Sequence, residues 1–129
     1  MMQPSDYYRW KSAEIKEADI RLVASCMSEH IGQDNAVKLE RLVARTGLGA
    51  RQVRDILEVL VKDYKWPIGA HASKAGRWII ATEEERWHVA NELLSRENEI
   101  RMRRKAIEQA QLPAKLDLEQ APQMGLFGG

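Results

Sequence analysis

The sequence has little of what several protein classes require. Its 129 residues contain a single cysteine, Cys26, which excludes a disulfide framework and a zinc site built on thiolates. No uncharged apolar run reaches the roughly 18 residues that a membrane-spanning helix needs, so we predict no membrane span. Residues 1–16 lack the apolar core of a signal peptide, and we expect a cytoplasmic protein.

Side chains that carry catalysis or bind metals are also scarce. His30, His71 and His88 are far apart and lack metal-ligand spacing, and no glycine-rich phosphate loop is present. Cys26 falls on the inward side of a predicted helix, where a core residue is expected rather than a nucleophile. We therefore expect no enzyme, with no catalytic residue, no cofactor and no metal site.

The charge that is present is unevenly distributed. The chain has a net charge of +1, and its 44% hydrophobic and 30% charged residues favour a folded domain. Residues 37–81 hold nine Lys/Arg and four Asp/Glu, a net charge of +5, whereas residues 1–36 have a net charge of −2. A basic middle segment is typical of a module that faces nucleic acid, although a solvated basic surface gives the same pattern.

Apolar spacing divides the chain into elements. Residues 1–12 form an N-terminal arm, and apolar residues at helical spacing predict helices over 13–31, 39–46 and 50–63. Extended segments at 66–71 and 77–81 flank a glycine-containing turn and predict a β-hairpin. A long amphipathic helix follows over 82–111, and the Pro- and Gly-containing residues 112–129 predict a disordered, flexible tail.

Several side chains define the ends and contacts of these elements. Thr82 and Glu85 form a capping box at the start of the long helix. Trp66 and Trp78 are expected to pair across the hairpin, with base stacking as the alternative, and Trp87 to pack the long helix onto the domain. Leu93, Ile100 and Ile107 recur every seven residues and make half of a coiled-coil seam.

Residues 42–60, LVARTGLGARQVRDILEVL, carry the prediction of the fold. The order helix, glycine turn, helix resembles the helix-turn-helix pattern L-A-x-x-x-G-x-S-x-x-x-V-x-x-x-L, with Gly47 at the sharp turn. Val43 replaces the usual alanine, and Gly49 replaces the usual Ser or Thr and weakens the cap of the second helix. With the hairpin as a wing, residues 13–81 resemble a winged helix-turn-helix domain, in a chain that is mainly α.

A closer resemblance extends over both sides of this motif. The strings HIGQDNAVKLERLVARTGL and WPIGAHASKAGRWIIATEEE are similar to small winged-helix proteins of phage and prophage replication regions. The matching positions are Ile31-Gly32, Asn35-Ala36, Pro67-Ile68-Gly69, Gly76 and Trp78. This resemblance implies a role in phage DNA metabolism within a bacterial host cell.

In a winged helix the second helix of the motif enters the major groove, where Arg reads guanine and Gln reads adenine. The predicted DNA contacts are Arg41 and Arg45 on the helix before the turn, Ala50, Arg51, Gln52 and Arg54 on the helix after it, and His71, Lys74 and Arg77 on the wing. Most of these contacts would position the protein on duplex DNA rather than specify a sequence.

The tail carries a second motif. Residues 123–127, QMGLF, resemble the bacterial sliding-clamp-binding pentapeptide Q-L-[S/D]-L-F. The resemblance implies that Gln123 and Met124, together with Leu126 and Phe127, dock on the clamp, with the last two filling an apolar pocket. The alternative is that Leu126 and Phe127 cover an apolar patch of the protein itself.

We therefore predict a DNA-binding adaptor of phage or prophage replication that holds duplex DNA and recruits a sliding clamp. A dimeric transcriptional regulator, formed through residues 83–111, is the first alternative. The second is a protein-interaction module, similar to a helicase loader, with no DNA affinity of its own.

Overall fold

The computed structural model of the protein describes residues 2–71 and 76–114. In this part of the chain the α-helices and strands are, in order, α1 (Pro4–Ala13), α2 (Ala18–Met27), α3 (Leu39–Thr46), α4 (Ala50–Lys62), β1 (Ile68–Ala70), β2 (Arg77–Ile79) and α5 (Glu83–Gln109). The architecture is mainly α, with a small antiparallel hairpin and a long C-terminal helix, as predicted. None of the described helices is long and apolar enough to cross a bilayer.

The chain divides into two compact units between Leu93 and Leu94. The first unit contains α1 to α4, both strands and the start of α5. Its core forms because α2, α3 and α4 each bury one apolar face, and α2 and α4 contact each other as well as α3. The buried side chains of these helices include Val23, Ala24, Met27, Leu42, Val53, Ile56, Leu57 and Leu60.

The turn between α3 and α4 has the predicted geometry. Gly47 adopts the left-handed conformation, with φ of 75°, and its N–H donates to the Val43 carbonyl at 2.9 Å. Gly49 then begins α4 with extended backbone and contributes no side-chain cap. The predicted helices 39–46 and 50–63 are confirmed to within one residue, because a local glycine signal and an apolar stripe determine both.

The predicted helix over 13–31 is wrong at both ends. Residues 4–13 form the separate helix α1, and α2 begins only at Ala18, because Ile15 turns into the core. The side chain of Arg21 closes this turn by donating to the Ile15 carbonyl at 2.9 Å. At the other end, Ile31 leaves the helix and bridges to Ile79 in β2.

The hairpin pairs in a register that the sequence did not predict. Trp78 lies opposite Gly69, not opposite Trp66, which precedes β1 and packs its ring against Tyr8 at 5.1 Å. Both tryptophans are buried, so neither is placed to stack on a base. On its other side β2 is bonded to the chain before α3, where Val37 and Arg77 exchange backbone hydrogen bonds of 2.8 and 2.9 Å.

The start of α5 confirms one expectation and overturns another. Thr82 Oγ1 accepts from the Glu85 N–H at 3.1 Å, and the Glu85 carboxylate accepts from the Ala81 N–H at 3.0 Å. Trp87, by contrast, is 61% exposed and contacts the ring of His88 rather than the domain. Val89 faces the hairpin instead, since it lies beside the backbone of Gly69.

Candidate nucleic-acid interface

The outer face of α4 carries the side chains that the sequence predicts for base reading. Ala50, Arg51, Gln52 and Arg54 are all exposed, because the opposite face of this helix is used to pack on α2 and α3. Among the described residues, neither Arg51 nor Arg54 has an ion-pair or hydrogen-bond partner for its guanidinium group. Both guanidinium groups are therefore available to bind a phosphate or a base edge.

Gln52 is engaged within the protein. Its Nε2 donates to the Asp19 carboxylate at 2.9 Å, so the first turn of α4 is linked to the first turn of α2. Arg45 is engaged in a similar way, because its guanidinium lies 3.1 Å from the carboxylate of Glu29, which follows the end of α2. An exposed ion pair of this kind contributes about 0–1 kcal/mol, so a phosphate can replace Glu29 as the partner of Arg45.

Arg41 lies in more acidic surroundings than predicted. Its side chain is exposed on α3 and lines a groove of about 680 Å³ in which, among the described residues, the only other Lys or Arg is Lys38. The described acidic residues that line this groove are Glu29, Asp34 and Glu40. Because three carboxylates outnumber two cations in this described lining, we rank Arg41 below Arg51 and Arg54 as a phosphate contact.

The structure describes two of the three residues that are predicted to contact DNA from the wing. His71 directly follows β1 and is half-buried, and Lys74 lies outside the described residues. Arg77 belongs to β2, and its guanidinium donates to the neighbouring Gly76 carbonyl at 3.3 Å. The clamp-binding residues Gln123, Met124, Leu126 and Phe127 also lie outside the described residues, as does most of the predicted tail.

Two features of the structure are not predicted from the sequence. Asp19 of α2 and Glu29, which follows α2, contact α4 and α3, although Asp19 is 33 residues away from Gln52. The opposite net charges of residues 1–36 and 37–81 were the one available signal. The second feature is α1, whose Tyr7 and Trp10 are exposed, with the Lys11 ammonium 5.7 Å from the Trp10 ring centroid.

Reactive groups are few in the part of the chain that the structure describes. Cys26 is buried in the core, as expected, and burial raises the pKa of its thiol, which disfavours the reactive thiolate. Within residues 2–71 and 76–114, no three His, Cys, Asp or Glu side chains are grouped closely enough to hold a metal ion.

Comparisons of the chain with protein-family models, with curated proteins and with solved structures find no match. The function must therefore be argued from the residues themselves.

Proposed function

We propose that the protein is a non-enzymatic, winged-helix DNA-binding protein that acts as an adaptor in phage or prophage replication. Duplex DNA binds along the outer face of α4, with the hairpin against the adjacent backbone. The tail recruits the sliding clamp of the bacterial host, in whose cytoplasm the protein works. Arg45 and Arg77 hold phosphates, whereas Arg51 and Arg54 reach base edges.

This proposal rests on one observation: Arg51 and Arg54 are exposed and have no partner among the described residues. Two guanidinium groups stand three residues apart, on one face of a helix that follows a left-handed glycine turn. Lys62, the third exposed cation of α4 and its last residue, is already paired with Glu58 at 3.0 Å. Exposed guanidinium groups without an internal partner are the groups that duplex recognition requires.

The experiment that tests duplex binding is a titration of labelled duplex DNA with the full chain at several salt concentrations. Each phosphate contact contributes about −0.9 to the slope of log affinity against log salt, so the two contacts assigned to Arg45 and Arg77 predict a slope of about −2 or steeper. Absence of binding would favour the helicase-loader-like module, which has no DNA affinity of its own. Binding without salt dependence would also contradict the proposal.

The clamp interaction is proposed from the tail sequence alone. A synthetic peptide of residues 117–129 is expected to bind an immobilised bacterial sliding clamp, because Leu126 and Phe127 would enter its apolar pocket. We expect the Leu126→Ala, Phe127→Ala peptide to bind at least about tenfold more weakly, since a buried apolar side chain contributes about 1.5–3 kcal/mol. Surface plasmon resonance measures both peptides, and equal binding would refute the tail assignment.

A dimeric transcriptional regulator is the second candidate, and the exposure of α5 favours it. Leu93, Ile100 and Ile107 are each more than half exposed although they recur at heptad spacing. Sedimentation of the full chain separates the candidates: a monomer at concentrations well above the dissociation constant for DNA contradicts the dimeric regulator and leaves the adaptor standing.

A further inference from the structure

The side chain of Asp19 in α2 contacts the exposed face of α4 that the proposed function assigns to DNA. Asp19 and Gln52 are both exposed, yet the Asp19 Oδ2 accepts a hydrogen bond from Gln52 Nε2 at 2.9 Å. This contact places a carboxylate beside the surface that the proposed function assigns to DNA. A carboxylate there repels phosphate and weakens binding to every duplex. Its position beside Gln52 therefore suggests that it has another role.

The hydrogen bond also determines which end of the Gln52 amide faces outward. A glutamine amide can turn over and exchange its carbonyl oxygen with its NH₂ group, and the two orientations read different bases. Because a carboxylate is only an acceptor, it holds one N–H of the Gln52 NH₂ group and leaves the Oε1 acceptor, with the second N–H, free to face a base. In the major groove, an acceptor is satisfied by the amino groups of adenine and cytosine but not by guanine O6 or thymine O4.

We propose that Asp19 is a positioning residue that sets the base preference of Gln52 by holding its amide with the oxygen directed outward. Asp19 then acts through Gln52 and need not touch DNA. One base position of the preferred site carries adenine or cytosine on the strand that Gln52 reads. This inference rests on the proposed function, since it requires that α4 faces duplex DNA.

Two substitutions at Asp19 test whether its carboxylate holds the Gln52 amide. Asp19→Glu keeps the charge and a side chain that can only accept, so we expect it to keep the base preference. Asp19→Ala removes both the charge and the acceptor, so the Gln52 amide can turn over and we expect the preference to be lost. Asp19→Ala is also expected to bind duplex DNA more tightly at low salt, because the repulsion is gone. Asparagine is unsuitable here because its amide both donates and accepts, and it would hold Gln52 in either orientation.

The experiment is selection from a pool of randomised duplexes, followed by affinity measurements on the selected site and its single-base variants. Gln52→Ala identifies the base position that Gln52 reads. At that position we expect about tenfold discrimination from the wild-type chain and from Asp19→Glu, and threefold or less from Asp19→Ala. Asp63→Asn, which removes the same charge at the far end of α4, is the matched control, and we expect it to leave the preference unchanged.

The outcomes distinguish this inference from the proposed function. If the wild-type chain selects a site but Asp19→Ala keeps the preference, the inference is wrong and duplex binding by α4 stands. The inference is also wrong if Asp63→Asn loses the preference as fully as Asp19→Ala, since the loss of a charge alone would then explain the effect. A wild-type chain that binds no duplex overturns both. Thermal unfolding of each variant, followed by circular dichroism, identifies changes that come from the fold.

Discussion

Replacing Arg51 and Arg54 together by alanine is expected to weaken duplex binding by at least about a hundredfold. A guanidinium that reaches a base edge or a phosphate contributes about 1–3 kcal/mol, and every 1.4 kcal/mol changes the affinity tenfold. The folded chain loses no contact among the described residues, since both side chains are exposed and unpaired there. Fluorescence anisotropy on a labelled duplex measures the affinity, and thermal unfolding should remain unchanged.

Two further pairs of substitutions make this test specific. Arg51→Lys with Arg54→Lys keeps both charges but loses the planar fork, so we expect binding to recover, with its salt dependence, while base preference does not. Lys16→Ala with Lys105→Ala removes the same charge from exposed positions outside the predicted interface. If this control loses as much affinity as the arginine pair, net charge explains the loss and α4 is not the helix that contacts the bases.

The parts of the fold that the sequence predicts well are those with a local cause. The α3–turn–α4 unit is predicted closely because Gly47 ends one helix and the apolar spacing of the next is regular. The helix α1 is not predicted because it has no apolar stripe: Tyr7 and Trp10 are exposed, Tyr8 packs on the core, and the buried residue of this helix, Ser12, is polar. Helix formation in such a segment is decided by tertiary packing rather than by its own pattern.

The parts that the sequence does not predict depend on contacts between distant residues. The register of the hairpin is determined by Trp78, which fits over a residue without a side chain and therefore lies opposite Gly69 rather than Trp66. The hydrogen bond between Asp19 and Gln52 likewise cannot be predicted from the sequence of α2 or of α4 alone. Even so, the predicted arginines of α4 are exposed as the DNA-binding hypothesis requires, because an amphipathic helix must turn its charged face away from the core.

Gly69→Ala is expected to destabilise the protein by about 1–3 kcal/mol, the usual range for inserting a methyl group into a filled core. A Cβ at this position would lie 2.8 Å from Trp78 Cζ2 and 3.1 Å from Val89 Cγ2. The indole is 2% exposed, so it has little room to move aside. Chemical denaturation followed by tryptophan fluorescence gives the change in the free energy of unfolding.

The sign of this change decides between two opposing effects. If there were space, alanine would stabilise the strand by about 0.5–1 kcal/mol relative to glycine, because it restricts the unfolded backbone. We expect steric overlap to outweigh that gain, and a stabilised Gly69→Ala variant would contradict the packing described here. In a Trp78→Leu background the same substitution should destabilise the protein much less, since the indole atoms are gone and the contact with Val89 Cγ2 at 3.1 Å remains. Gly49→Ala, where an added Cβ meets nothing within 4 Å, is the matched control, and it should change stability only through the weak cap of α4.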